Sequence, residues 1–334
     1  MIELRQLGQT GLRVSRLGLG LAAVGRPGYI TLGRARDLPR ERTPEALAAR
    51  SAELCNAAWT GGIRYFDAAR SYGRAEEFLA RWLGARGLPA GAVTIGSKWG
   101  YRYTAGWTVD AAVHEEKELS LARFEQQLGE TCALLGAQLD LYQIHSATAE
   151  SGCLDDARLL AALVGARRSG ACRALGLSLS GPTSDRALER ALAARVDGER
   201  VFDVVQATVN VLEPSLLPLL AAARAEGLGV IAKEVHANGR LTELNDRPQD
   251  AELVTALRRI AAEARTTVAD LALAWVLAQP QVDVALSGAA TTAQLASHVR
   301  AAALGLEADA VGALASFGEA APAYWATRGR LPWT

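Results

Sequence analysis

The chain reads as eight repetitions of one pattern, a short apolar run rich in β-formers separated from the next by segments with helical character. The runs occupy residues 14–20, 64–69, 94–99, 140–146, 172–179, 202–209, 228–235 and 282–288. Apolar residues recur at helical spacing over 44–60, 114–135, 155–169, 183–196, 214–226 and 292–304, and Pro44 and Pro214 suit a first helical turn. Runs that are apolar on both faces and alternate with helices predict a parallel sheet covered on both sides. Eight of them within 334 residues favour the α/β class and a closed (β/α)8 TIM barrel over an open doubly wound sheet. Gly18-Leu19-Gly20 follows the first run without the third glycine that a Rossmann turn needs. An N-terminal β-hairpin is expected around Gly8-Gln9-Thr10-Gly11, and residues 26–42 and 317–334, the latter a C-terminal tail, read as irregular. Nothing of low complexity divides residues 1–334, which predicts one domain.

Half of the residues are hydrophobic, enough for a large core, and 36 basic residues balance 36 acidic ones. That balance argues against general attraction to nucleic acid or an anionic membrane and points to a polar small-molecule or protein partner. The start lacks the apolar core of a signal peptide and no apolar run approaches the ~18 residues that span a bilayer, so a cytoplasmic protein is expected. Cys55, Cys132, Cys153 and Cys172 show neither Cys-x-x-Cys spacing nor paired histidines, which predicts free thiols and no metal site, and no role falls to Cys153.

Chemistry gathers at the ends of the runs. Asp67 closes Arg64-Tyr65-Phe66-Asp67, Tyr72 follows in Arg70-Ser71-Tyr72-Gly73, Lys98 nearly ends the third run and His145 the fourth. The chain holds only three lysines, Lys98, Lys117 and Lys233, and two of them stand at strand ends. In a barrel such positions converge at the carboxyl face. A phenol with an ordinary pKa of about 10 is a poor proton donor near neutrality, a neighbouring ammonium lowers it, and a carboxylate holds that ammonium in place. Asp67, Lys98 and Tyr72 thus form a coherent relay, with His145 placed to hydrogen-bond a carbonyl oxygen.

These residues carry a resemblance to the aldo-keto reductase superfamily over nearly the whole chain. It rests on Gly8-Gln9-Thr10-Gly11-Leu12-Arg13-Val14-Ser15-Arg16-Leu17-Gly18-Leu19-Gly20, Phe66-Asp67-(x)4-Tyr72-Gly73, Ser97-Lys98-Trp99-Gly100, Asp140-Leu141-Tyr142-Gln143-Ile144-His145, Val205-Gln206, Ser287-Gly288-Ala289 and Gln294-Leu295. The resemblance implies a barrel that binds NADPH in extended form, with NADH as the alternative, and reduces an aldehyde or ketone with Tyr72 as proton donor and Asp67, Lys98 and His145 completing the tetrad. It also implies that Ser178 and Gln206 hold the nicotinamide carboxamide, and that Gln294 and His298 approach the adenine. Leu179 replaces the usual asparagine after the serine, Lys233 stands where the family has an aromatic residue, and Ala290 stands where it commonly has Arg or Lys. Lys233 is open to three roles: contact with the pyrophosphate, contact with the substrate, or pairing with an acid such as Glu234. Asn238, Gly239 and Arg240 are expected around the pyrophosphate. Ser287, Gly288, Ala289 and Thr291 lead into a helix whose N–H groups suit the 2′-phosphate, Thr291 also reading as an ordinary cap.

Aromatic residues cluster where the barrel mouth is expected: Tyr29, Trp99, Tyr101, Trp107 and Trp325 as the substrate pocket, with Tyr103, Tyr324 and Trp333 nearby. Two other functions compete. One is a Schiff-base barrel enzyme with Lys98 as nucleophile, which Asp67 disfavours by stabilising the ammonium. The other is a redox-sensing subunit that keeps barrel and cofactor, as channel-associated members of the superfamily do.

Overall fold

The computed structural model describes residues 2–38 and 41–334. Eight parallel strands close a barrel in sequential order: β1 (Leu17–Gly20), β2 (Tyr65–Asp67), β3 (Thr94–Trp99), β4 (Leu141–Ala147), β5 (Ala174–Leu179), β6 (Val204–Thr208), β7 (Gly229–Lys233) and β8 (Val284–Ser287). All eight coincide with the apolar runs, and almost every residue in them is buried, as a sheet with both faces covered requires. The first run divides. Arg13–Ser15 pairs antiparallel with Leu4–Gln6 as the expected hairpin, and only Leu17–Gly20 enters the barrel. That hairpin plugs the amino end, where Leu7, Leu12 and Val14 pack among Tyr65, Leu141, Val204, Ile231 and Val284. Gly8 makes the plug possible: its φ is +52°, and a Cβ there would collide with the backbone of Gly227 to Gly229.

The surrounding helices are α1 (Pro44–Thr60), α2 (Ala75–Ala85), α3 (Leu121–Leu135), α4 (Ala157–Arg168), α5 (Ser184–Ala193), α6 (Leu217–Ala225), α7 (Ala251–Glu263), α8 (Val268–Leu277), α9 (Thr292–Ala301), α10 (Ala308–Ala315) and α11 (Ala321–Arg328). Several start on side-chain caps, with Thr43, Ser120, Asp156, Thr267 and Thr291 each accepting from a backbone N–H one turn on. Residues 114–120 are not helical. Glu115–Lys117 pairs instead with Tyr101–Tyr103 as a hairpin standing on the carboxyl face. Likewise Arg195–Val196 leaves the fifth helix to pair with Glu199–Arg200. Helix α6 begins at Leu217, so Pro218 rather than Pro214 occupies its first turn. Residues 317–334 are less irregular than expected, since they contain α11; in 26–42, Arg34–Asp37 forms one helical turn, and residues 39 and 40 lie outside the described part. Among the described residues no helix is long and apolar enough to cross a membrane.

Candidate active site

Alternation along the strands sets the floor of the site. Asp67 pairs in register with Gly96, and Lys98 pairs with Gln143, so Tyr65, Asp67, Lys98, Gln143 and Gln206 all project into the barrel near its carboxyl end. Asp67 is the hub. One carboxylate oxygen takes the Lys98 ammonium; the other accepts from Tyr65 Oη at 3.0 Å and Gln206 Nε2 at 2.9 Å, with Gln143 Nε2 at 3.4 Å. Lys98 also donates to the Ala68 carbonyl at 2.9 Å and is fully buried. A buried ion pair is tolerable only when its remaining hydrogen-bonding capacity is met; here neutral donors serve the carboxylate, and the Ala68 carbonyl takes a second hydrogen of the ammonium.

Above this floor lies a cavity lined by Asp67, Tyr72, His145, Gln206, Lys233 and Arg26, among others. The Lys98 Nζ stands 4.9 Å from the centre of the Tyr72 ring, and the rings of Tyr72 and His145 meet edge to face at 5.4 Å. The four residues singled out in the sequence are therefore brought together. The expected lowering of the Tyr72 pKa is not found: burial, then the Asp67 carboxylate, push the phenol well above its usual value. In the protein alone Tyr72 is a protonated phenol. Burial, then Lys98 and Arg26, hold His145 well below the ordinary histidine range, so its imidazole is neutral. Its Nδ1 lies 3.4 Å from Ser71 Oγ.

Lys233 ends β7 and lines the same cavity. Its Nζ donates to Thr208 Oγ1 at 2.7 Å but stands 4.0 Å from Glu234, whose carboxylate Arg328 engages at 2.8 Å. Lys233 thus pairs with Glu234 at the long limit of an ion pair, sharing that carboxylate with Arg328. Burial pushes the lysine down to about 8, whereas Arg328 and Lys233 outweigh the effect of burial on Glu234 and hold it down to about 2.

The other expected cofactor residues divide. Gln206, Asn238, Gly239, Ser287 and Gly288 line the main cavity, and Gly239, Gly288, Ala289, Gln294 and His298 line a second one. The two share Ala23, Tyr29, Thr31, His236, Gly239 and Gly288. Asn238 donates its amide to the Ile30 carbonyl at 2.8 Å, leaving a buried Oδ1 without a partner among the described residues. That atom can only accept, which suits a hydroxyl or amide hydrogen of a ligand.

Two expectations are corrected. Ser178 is sealed beneath the cavity, with Oγ accepting from the Ser146 N–H at 2.8 Å; Ser180 lines the cavity in its place. Arg240 is buried between Asp250 and Glu319, both engaged through two hydrogen bonds, and ties the loop after β7 to the segment before α11. Thr291 and Gln294 close a capping box on α9, in which Gln294 Oε1 accepts from the N–H groups of Ala290 and Thr291. The N–H groups of residues 290, 291 and 294 are thereby taken.

Of the aromatic residues, Tyr29, Tyr101 and Trp333 line the cavity. Trp99 does not. It is next to Lys98 on a strand, so its side chain points outward and packs on Phe124 of α3 with no solvent exposure. Trp107 packs on Phe78 and donates to the Arg42 carbonyl, and Trp325 lies behind Lys233, 5.7 Å from its ammonium. Tyr324 is buried, its hydroxyl accepting from Asn210. Cys153 is buried beside Ser151, and burial raises its thiol.

Sequence reasoning missed Arg26, the most prominent cation at the mouth. It is 2% exposed, donates to Glu115 and to the Ser71 carbonyl, and lies 5.4 Å from the Tyr72 ring and 5.0 Å from Trp333. Its only signal was position in an arginine-rich irregular segment after the first strand. Tyr65 and Gln143 were missed as partners of Asp67, although period-two spacing from Asp67 and His145 places both on the inner face.

Known proteins share this arrangement of chain and fold. L-galactose dehydrogenase of Arabidopsis thaliana is 28% identical over 90% of this chain and 88% of its own length. The aldo-keto reductase str7 of Strobilurus tenacellus is 25% identical over 94% and 91%. The holo form of aldo-keto reductase AKR11C1 from Bacillus halodurans superimposes with a TM-score of 0.73 at 20% identity, covering 96% of this chain and 98% of that one, a likeness of fold. The profile of the Aldo/keto reductase family matches residues 16–319, and with an eight-stranded barrel beneath that match the chain belongs to this family of oxidoreductases.

Proposed function

We propose that the protein interconverts a carbonyl compound and its alcohol with a nicotinamide dinucleotide, Tyr72 moving the proton. The observation that carries this reading is a protonated, cavity-facing phenol above a buried Asp67–Lys98 pair and beside a neutral imidazole. The donor set fits the cofactor: two adjoining cavities share Gly239 and Gly288, and the unpartnered Asn238 Oδ1 and the cavity-lining Gln206 face where its polar groups would be held. When bound, the dinucleotide supplies the hydride.

Tyr72 has to be protonated to donate, and its raised pKa keeps it so. An alkoxide forming on the substrate is a far stronger base than phenolate, so the proton moves despite that shift. Lys98 then compensates the phenolate, and Asp67 keeps the lysine in place. His145, neutral, offers a hydrogen bond to the carbonyl oxygen without competing as an acid. Arg26 packs against the outer side of Tyr72 and fixes its ring.

The Schiff-base alternative is disfavoured because Lys98 is fully buried and hydrogen-bonded to Asp67 and Ala68. The relative named L-galactose dehydrogenase adds aldoses to the substrates worth assaying, in both directions. Tyr72→Phe is expected to retain dinucleotide binding, read by quenching of tryptophan fluorescence, while turnover falls by roughly 10²–10⁴. Unchanged turnover would remove Tyr72 from the proton-transfer role.

A further inference from the structure

We infer, building on the reading just given, that the far cavity takes an adenosine ribose without a 2′-phosphate, so that the cofactor is NADH/NAD⁺ and not the NADPH implied by resemblance. A 2′-phosphate brings a charge near −2 and several acceptor oxygens, and proteins meet it with Arg, Lys or free N–H groups. The Arg of the cavity lining is already used, and so are the N–H groups of residues 289, 290, 291 and 294.

Arg34 is the one Arg or Lys in its lining. The guanidinium is buried and spent on backbone carbonyls: Nε donates to Ala23 at 3.1 Å, Nη1 to Thr334 at 2.7 Å and to Pro27, and Nη2 to Arg26 at 2.7 Å and to Ala23. Turning it toward a ligand would leave the buried carbonyls of Ala23 and Arg26 without a donor, a cost of roughly 1–3 kcal/mol each, since Pro27 and Thr334 keep bonds from Arg42 and the Tyr29 N–H. His236 and His298 stack at 4.7 Å and are neutral, burial holding His236 down to about 4 and His298 well below its ordinary value. At the start of α9 the N–H groups of Ala290 and Thr291 bond to Gln294 Oε1, and residue 290 carries only a methyl group.

The cavity also contains the opposite charge. Asp37 and Glu243 both line it. Glu243 spends one oxygen on the Val268 N–H at the start of α8, and Asp37 has no ion pair among the described residues. A carboxylate at this end accepts a hydrogen from a ribose hydroxyl and repels a phosphate in the same place, the logic by which dinucleotide sites separate the two cofactors.

The test is binding to the intact protein, followed by tryptophan fluorescence and by calorimetry, with NADH, NAD⁺, NADPH and NADP⁺. NADH is expected to bind at least about tenfold more tightly than NADPH. Equal or tighter binding of NADPH refutes this inference and leaves the proposed carbonyl chemistry standing; failure of all four to bind refutes both. In the double variant Asp37→Asn/Glu243→Gln, which keeps the acceptor that caps α8, NADPH affinity is expected to rise several-fold while NADH affinity falls or holds, so that the preference for NADH shrinks. An unmoved NADPH affinity overturns exclusion by these carboxylates.

Discussion

Lys233 is a largely enclosed ammonium at the cavity wall whose nearest carboxylate is already held by another cation. Arg328 binds Glu234, and Lys233 keeps one hydrogen bond, to Thr208. Burial favours loss of its proton, so the folded protein binds that proton less tightly than the unfolded chain does, with a pKa near 8 against an ordinary value of 10.5. Folding with the lysine charged therefore costs stability, fully so below pH 8. The cost shrinks as pH rises from 8 to 10.5, where the unfolded chain still carries the proton and the folded one does not. Lys233→Met keeps length and removes charge, and is expected to raise stability at pH 7 by about 1–3 kcal/mol after allowing for the lost bond to Thr208. Denaturant unfolding from pH 6 to 10 checks this: the gain should persist to about pH 8 and decline above it. A variant less stable than the parent at pH 7 would mean that the charge is compensated within the fold.

At the level of strands and helices, β3 illustrates how closely the site depends on its scaffold. Gly96 projects inward between Asp67 and Lys98, and a Cβ there would collide with Tyr65 Oη and come within 3.4 Å of Asp67. Gly96→Ala is expected to cost roughly 1–3 kcal/mol by overpacking and to displace the hydroxyl that bonds Asp67. Tyr65→Phe removes the colliding atom, so in a double-mutant cycle the pair should be clearly non-additive, the second change recovering part of the loss. Additive effects would show that the strand yields elsewhere. Strand tips of this kind were legible in the sequence because a parallel strand covered on both faces is a continuous apolar run that ends where polar chemistry begins. Asp67, Lys98 and His145 announced themselves in that way. What escaped were features set by partners far along the chain. The hairpin of Tyr101–Tyr103 with Glu115–Lys117 hid inside a helical period that continued through it. Ser178 and Arg240 matched in position while their side chains had been claimed by Ser146, Asp250 and Glu319. Trp99 was misassigned through neglect of alternation, which the sequence did contain.

Across the whole molecule, the barrel supplies the floor of the cavity and three distant segments supply its roof. Tyr29 and Ile30 follow β1, His114 and Glu115 enter the hairpin beyond β3, and Trp333 arrives after α11. These segments hold one another. The Trp333 indole lies 3.9 Å from the His114 ring with an interplanar angle of 4°, Arg26 sits 5.0 Å from the same indole, and the Thr334 N–H donates to the Tyr29 carbonyl at 3.0 Å. None of these contacts belongs to the buried barrel core, so removing one loosens the roof and leaves the floor intact. A stacked pair and a cation over a ring contribute about 0.5–2 kcal/mol each at partly buried sites. Trp333→Ala is therefore expected to leave cooperative unfolding nearly unchanged while faster hydrogen exchange appears in residues 26–31 and 114–115. Because Arg26 then loses one of the rings that hold it against Tyr72, KM for a carbonyl substrate should rise about tenfold, with a smaller fall in kcat. Cofactor affinity at the far cavity, which Trp333 does not line, should hold. If exchange in those segments stays slow and KM is unmoved, the roof is held by its backbone bonds alone, and the shape of the substrate end is set by the barrel and the hairpin without Trp333.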